Sequence, residues 1–480
     1  MVPGMRLSGV TAPSRCIRRL DDWFAYKLRK ARAREHAQGH SGWSNEFIDD
    51  SIGGALIDVL ATLGRRPSGG MDSGPTRLTV NARAGAARAA PRGLDRPMAP
   101  SRYASSLRKA LILMLASATP PCSGATSPRV EAIDALPREA RALAARPVGR
   151  VEALVGATGW RYQWPGTYFE ARFGGDAVFV DLGPGEKHVR VSIDGREVAD
   201  LLRPGHRQWR IGGLAPGEHA VRADIVSESR DGVQAFGGFA VPARALARTP
   251  PPARTRAIEF IGDSYTVGYG AASAGRTCSD DEVWRTTDNA LAFAPQVARR
   301  FEADYRIVAI SGRGMVRNFA NGPGDALPTA WKRWLPADAR PPVATDDAAW
   351  SPQLIVIGLG TNDFSTPVGP GEPWRDAAAL AADFESRYVD FARELHRRHP
   401  AARLLLLATD EGGGAAERAI GRVRARLARE GLPVGDVLAL GPLSLDACNW
   451  HPSRADHEAI ARRLGAAVSA LNPEWRAEGD

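Results

Sequence analysis

From Ala257 onward the chain repeats one pattern five times: a short apolar run, then a longer stretch with helical spacing. The runs are Ala257 to Ile261, Tyr305 to Ile310, Leu354 to Leu359, Arg403 to Ala408 and Val434 to Leu440. Helical stretches include Asn289 to Ala303, Ala377 to Arg398, Ala415 to Arg429 and Arg454 to Leu471. The last has Ser453 as its N-cap and Asp456 three residues on. A helix between two strands carries the chain back to the edge it left, so such strands run parallel. The expected fold is a doubly wound, five-stranded parallel α/β sheet over 256–472, with helices on both faces and a short tail at 473–480.

The preceding region has another texture. Trp160 to Phe173 alternates aromatic and polar residues, and Ala177 to Leu182, Val189 to Ile193, Gln208 to Ile211 and His219 to Val226 are short β-like runs. Asp194-Gly195 and Pro216-Gly217 supply turn chemistry between them. Short strands without helical period predict an antiparallel sandwich over 149–246. Thr249-Pro250-Pro251-Pro252-Ala253 reads as a stiff joint within a linker at 247–255. Residues 125–148, rich in Ala, Pro and Arg, read as a linker with a helical turn or two between Glu131 and Ala145.

The formal charge of +9 is unevenly placed. Residues 1–110 hold 19 Lys and Arg against 9 Asp and Glu, and the remainder holds 44 against 45. A basic footprint for nucleic acid should lie on the folded body, which is close to neutral, so nucleic acid is excluded as a partner. Arg102, Arg108 and Lys109 precede the apolar run Ala110 to Ala116 and the small residues Ser117-Ala118-Thr119, the layout of a secretory signal peptide over 98–124. The run is too short to span a membrane, so an exported monomer without stable membrane insertion is expected. Residues 1–97 are then an extension, either disordered or an upstream misassignment of the start at Met98. Removing the leader leaves Cys278 and Cys448, which permit one disulfide or two buried thiols.

Three strand ends carry chemistry. Ile258 to Ile261 runs into Gly262-Asp263-Ser264, placing a serine where open α/β sheets hold their reacting groups. Asp263 is expected to bond the loop backbone rather than act as a base. Gly312, within Ser311-Gly312-Arg313-Gly314, follows the second strand and can bring an amide close to a developing oxyanion. Asn362, within Gly360-Thr361-Asn362-Asp363, follows the third and can donate from its side chain. His451, in Asn449-Trp450-His451-Pro452-Ser453 ahead of the last helix, is the candidate base. His457 is expected to face solvent, and His396 and His399 lie three apart on a helix with no third ligand nearby, which reads as solvated surface. No HExxH, paired CxxC or Walker loop occurs, so no metal or cofactor is implied, and no G-x-S-x-G elbow surrounds Ser264.

The blocks Gly262-Asp263-Ser264, Gly312, Gly360-Thr361-Asn362-Asp363 and His451 resemble those of the SGNH (GDSL) hydrolase superfamily. Trp164-Pro165-Gly166-Thr167 through Phe239, with Ser311 to Asn318 and Trp450-His451-Pro452-Ser453, is similar to carbohydrate esterase family 2, in which a jelly-roll sandwich precedes the hydrolase domain. The resemblance implies an esterase that removes O-acetyl groups from polysaccharides such as acetylated xylan or glucomannan. Ser264 would be the nucleophile and His451 the base, with the amides of Ser264 and Gly312 and the Asn362 side chain as oxyanion donors. Trp450 and Trp374 would offer aromatic surface to a sugar. The family's usual Asp three residues before the histidine is Cys448 here, and Asn449 stands where this branch often has Asp. A Ser–His dyad with a neutral third partner, such as the Asn449 carbonyl, is therefore expected, with Asp446 poorly spaced as a fallback. Two rival readings are a carbohydrate-binding protein with an inactive hydrolase domain and an SGNH lipase or thioesterase acting on other acyl esters.

Overall fold

The computed structural model describes residues 127–155, 158–229, 232–337 and 350–475. The expected extension at 1–97 and signal peptide at 98–124 lie outside them.

The first twelve strands are β1 (Arg129–Ile133), β2 (Arg141–Leu143), β3 (Ala145–Val148), β4 (Val151–Ala153), β5 (Trp160–Tyr162), β6 (Tyr168–Asp181), β7 (His188–Ile193), β8 (Arg196–Leu202), β9 (Gln208–Ile225), β10 (Gln234–Phe236), β11 (Gly238–Val241) and β12 (Leu246–Arg248). All pair antiparallel, in a large sheet ordered β2-β11-β6-β9-β7-β8 with β1, β3 and β12 attached, and a small sheet ordered β10-β5-β4. Between the sheets lies a core that includes Phe169, Phe173, Val180, Val191, Val221 and Phe236. The sandwich is thus as expected, with two corrections. Residues 129–148 are not a linker with helical turns; they form β1, β2 and β3, because β9, β11 and β6 offer them partners. Pro216-Gly217 does not reverse the chain either. Both lie within β9, which bends along β6 where the register shifts between Gly175 and Ala177. Asp194-Gly195 does make the β7–β8 turn, with both residues at positive φ of 52° and 74°.

After the Pro-rich segment come β13 (Arg256–Gly262), β14 (Ala303–Ala309), β15 (Leu354–Gly358), β16 (Arg403–Ala408) and β17 (Leu438–Ala439). They form a parallel sheet ordered β14-β13-β15-β16-β17. The α-helices are α1 (Ser264–Val267), α2 (Asp280–Thr286), α3 (Phe293–Arg300), α4 (Leu327–Trp331), α5 (Thr361–Phe364), α6 (Ala377–Arg398), α7 (Glu411–Arg429) and α8 (Arg454–Leu471). The sheet's apolar runs feed two cores, because alternate side chains point to opposite faces. Ile355, Ile357, Leu404 and Leu406 join one core with Phe384 and Tyr388, whereas Leu354, Val356, Leu405 and Leu407 join the other with Ile460 and Leu464. Ser453 and Asp456 form the expected capping box on α8. The expected helix over Asn289 to Ala303 is instead a 3-10 turn at Asn289–Leu291 followed by α3, and Ala303 already belongs to β14. The last strand shrinks to two residues plus a bridge between Leu404 and Val434. The expected tail begins as a 3-10 turn, Pro473–Trp475, whose Trp475 is buried beside Phe301.

Sandwich and sheet are joined by buried charge. Asp304 on β14 accepts from Arg146 at 2.7 Å, Tyr168 at 2.7 Å and Arg254 at 2.6 Å. Glu170 on β6 bonds Arg146, Arg222 and Arg254. Burial works to raise the Asp304 carboxyl, yet these donors bring it down to about 2. A second joint pairs Arg150 with Glu259 of β13 at 3.2 Å, and Trp331 donates to the same carboxylate at 3.0 Å.

Candidate active site

β13, an interior strand of the parallel sheet between β14 and β15, ends at Gly262, and α1 begins two residues later at Ser264. Asp263 is the N-cap, and its Oδ1 accepts from the Tyr265 amide at 3.0 Å, the backbone role expected of it. The serine therefore sits at the carboxyl end of a buried strand with its hydroxyl held by a rigid turn.

His451 reaches that hydroxyl from the loop before α8. Its Nε2 lies 2.9 Å from Ser264 Oγ, across 187 residues of sequence. Its Nδ1 faces two main-chain carbonyls, those of Cys448 and Asn449, each at 3.0 Å. A carbonyl only accepts, so Nδ1 carries the proton and Nε2 offers its lone pair to the serine hydroxyl. The imidazole packs against Tyr269, with ring centroids 4.2 Å apart, and against Tyr265. Burial lowers its pKa below the usual 6.5, and the two carbonyls offset only part of that. The imidazole is then neutral at pH 7, as a base must be. The loop that delivers it is strained: Asn449 and Trp450 both hold positive φ, 52° and 56°. Cys448, in that loop, is disulfide-bonded to Cys278.

Gly312 and Asn362 stand where the second and third strands end. Gly312 has a φ of 81°, which favours glycine, and neither its amide nor that of Ser264 donates a hydrogen bond among the described residues. Asn362 Nδ2 donates to the Arg313 carbonyl at 2.8 Å and to Asp263 Oδ2 at 3.2 Å. The neighbouring Asp363, fully buried, accepts the amides of Met315, Val316 and Arg317 at 2.8–2.9 Å. Burial pushes its carboxyl up to about 6 against the pull of those amides. Arg317, also buried, makes a two-pronged ion pair with Glu372 at 2.6 and 2.7 Å and donates to the carbonyls of Thr366 and Pro367.

The remaining expected residues divide. Trp450 is exposed at 63%. Trp374 is half-buried against one core of the sheet and donates to Asp383 at 3.1 Å. The Asn449 side chain donates to the Tyr269 hydroxyl at 3.0 Å; only its carbonyl meets the imidazole. Asp446 pairs with Arg276. His457 does not face solvent; it is fully buried, beside Phe293, and burial lowers its pKa to about 4. His396 and His399 are half-buried rather than solvated. Sequence reasoning missed Tyr269, Asp363, Arg317 and Glu228. The last comes from the sandwich and accepts the Ser311 amide at 2.8 Å, next to Gly312. Asp363 lies within the Gly360-Thr361-Asn362-Asp363 block, and Tyr269 sits between Gly268 and Gly270 five residues after Ser264; nothing local marks Glu228.

Comparison with known proteins agrees with this layout. The family described as "Carbohydrate esterase 2 N-terminal" matches residues 148–251, and the "GDSL-like Lipase/Acylhydrolase family" matches 260–472. An acetylxylan esterase / glucomannan deacetylase of Cellvibrio japonicus is 37% identical over 308 residues, covering 64% of this chain and 84% of that protein. A carbohydrate esterase described as having divergent catalytic and non-catalytic binding functions in its active site superposes with a TM-score of 0.64 at 33% identity, over 70% of this chain and 100% of that one. A family two carbohydrate esterase of Clostridium thermocellum gives 0.62 at 25% identity, over 70% and 100%. The chain belongs to carbohydrate esterase family 2, and is a carboxylic ester hydrolase of that type in which an N-terminal sandwich precedes a GDSL-like domain.

Proposed function

We propose that this protein is an exported acetyl esterase that removes O-acetyl groups from plant polysaccharides of the xylan or glucomannan kind, using a Ser264–His451 dyad. The observation that carries the mechanism is the 2.9 Å contact between Ser264 Oγ and His451 Nε2, with Nδ1 turned to carbonyls. Ser264 Oγ attacks the acetyl carbonyl while Nε2 takes the hydroxyl proton. The oxyanion meets the free amides of Ser264 and Gly312, and Asn362 joins them by releasing its longer bond to Asp263. The intermediate expels the sugar oxygen, which takes the proton from Nε2; water, activated by the same nitrogen, then releases acetate from the serine.

Exposed Trp450 beside the histidine supports a sugar-facing rim. The deacetylase activity named for the Cellvibrio japonicus relative supports the substrate class. The Cys278–Cys448 bond supports export, since such bonds persist in oxidising compartments, and the signal-peptide layout at 98–124 agrees with it. No helix among the described residues is long and apolar enough to cross a membrane. The division into a sandwich ending near β12 and a catalytic domain from β13 belongs to the same reading, as does a monomeric state.

Acetate release from acetylated xylan and glucomannan tests the proposal. Ser264→Ala should lower turnover by at least about a thousandfold with circular dichroism unchanged. Undiminished turnover in that variant would remove the mechanism. Tight glycan binding by a wild-type protein that releases no acetate would favour a binding module instead.

A further inference from the structure

We propose that the Cys278–Cys448 disulfide is a positioning element for the general base, holding in place the two main-chain carbonyls that orient His451. The inference rests on the Ser264–His451 reading.

The base lacks a carboxylate partner, so its orientation depends on where a strained loop puts two peptide groups. Leu445, Asn449 and Trp450 in this loop all have positive φ, and backbone in that region returns to relaxed angles unless its surroundings hold it. Asp456 accepts the amides of Ser444 and Leu445 at the start of the loop, and the peptides that face the imidazole are held by the segment 270–278, which follows the nucleophile's helix. The Cys448 amide donates to Ser273 Oγ at 2.9 Å, and the Asn449 amide donates to the Arg276 carbonyl at 2.7 Å. The Arg276 guanidinium donates to the carbonyls of Ser444 and Leu445, each at 2.8 Å. A Cβ built on Gly270 would come within 2.6 Å of Cys448 Cβ, so the two segments are pressed together. Cys448 carries the covalent link and also supplies one of the carbonyls facing Nδ1. The bond therefore ties the segment after the nucleophile to the peptide that fixes the tautomer of the base.

Reduction of the folded full-length protein tests this. One dithiothreitol thiolate attacks a protein sulfur and its second thiolate closes the ring, leaving two protein thiols and cyclic oxidised dithiothreitol. Thiol titration should then count two additional thiols per chain. With p-nitrophenyl acetate we expect kcat to fall about tenfold, a fraction of what a positioned base contributes, with KM within about twofold. Fluorophosphonate labelling of Ser264 should slow by the same factor, and reoxidation should restore both. Unchanged kcat and labelling rate in the reduced protein overturn the proposal, even if the melting temperature drops. Activity lost in step with far-UV circular dichroism overturns it too, because the bond would then hold the fold rather than the imidazole. The double variant Cys278→Ser/Cys448→Ser should match the reduced protein, and if it does not fold, reversible reduction decides alone. Ser264→Ala separates the two readings. Activity surviving in that variant removes the nucleophile assignment, whereas its loss beside a redox-insensitive kcat removes only the role of the disulfide.

Discussion

The two walls that meet at Ser264 are built by opposite means. On the Gly312 side, loop geometry is held by buried charge: Asp363 gathers three amides, and Arg317 pairs with Glu372 while donating to nearby carbonyls. On the His451 side, the orienting groups are neutral carbonyls, and the loop is tied by a covalent bond and by hydrogen bonds to residues 270–278. The difference follows from what each wall must do. The oxyanion wall only has to stay still, and charges already spent on partners hold it without facing the reaction. The other wall carries a base whose pKa matters, and neutral partners fix its tautomer without a nearby charge that would raise its basicity.

The largest effect is expected from breaking the charged wall. Glu372→Ala leaves the Arg317 guanidinium buried without its carboxylate, and should cost about 3–5 kcal/mol in denaturant unfolding. A change under about 1 kcal/mol would mean that the charges are not what holds this wall. Next comes His457, the second imidazole behind the base. Its folded pKa of about 4 lies below the ordinary 6.5, so the unfolded chain binds the extra proton first. Its burial therefore lowers stability as pH falls through that interval, by up to about 3 kcal/mol. His457→Leu should flatten the pH dependence of the melting temperature between those values, and an unaltered slope would assign it elsewhere.

The acid limb of kcat/KM probes the neutral wall directly. It should lie below pH 6.5, because burial lowers His451 and the base works only when deprotonated. A limb above that value would require a negative charge near the imidazole. The smallest effect is expected from Asn449→Asp, since this side chain faces Tyr269 rather than His451. The limb should rise slightly and kcat should stay within about threefold; a gain of a hundredfold would show that carbonyls substitute poorly for a carboxylate.

What was legible in the sequence follows the reach of each interaction. Ser264, Gly312 and Asn362 could be found because each ends an apolar run, and His451 because a capping box announces the helix behind it. β1, β2 and β3 were not legible: they are short, contain few buried residues, and become strands only by pairing with distant β9, β11 and β6. Pro216-Gly217 looks like a turn until the pairing of β9 with β6 on both sides of it is known. His457 did leave a signal, since it falls on the stripe of Ile460, Ala461, Leu464 and Val468 that faces the core. Glu228 left none, because its contact with Ser311 spans 83 residues, from the chain after β9 to the loop after β14.

Finally, β14 is the outermost strand of the parallel sheet, and the sandwich lies along it through Arg146, Tyr168 and Arg222. An uncovered border of that kind invites pairing with a neighbouring molecule. The sandwich lies against that border here, so the expectation is that a hydrolase half expressed without it would be more prone to clumping even where its own fold is sound.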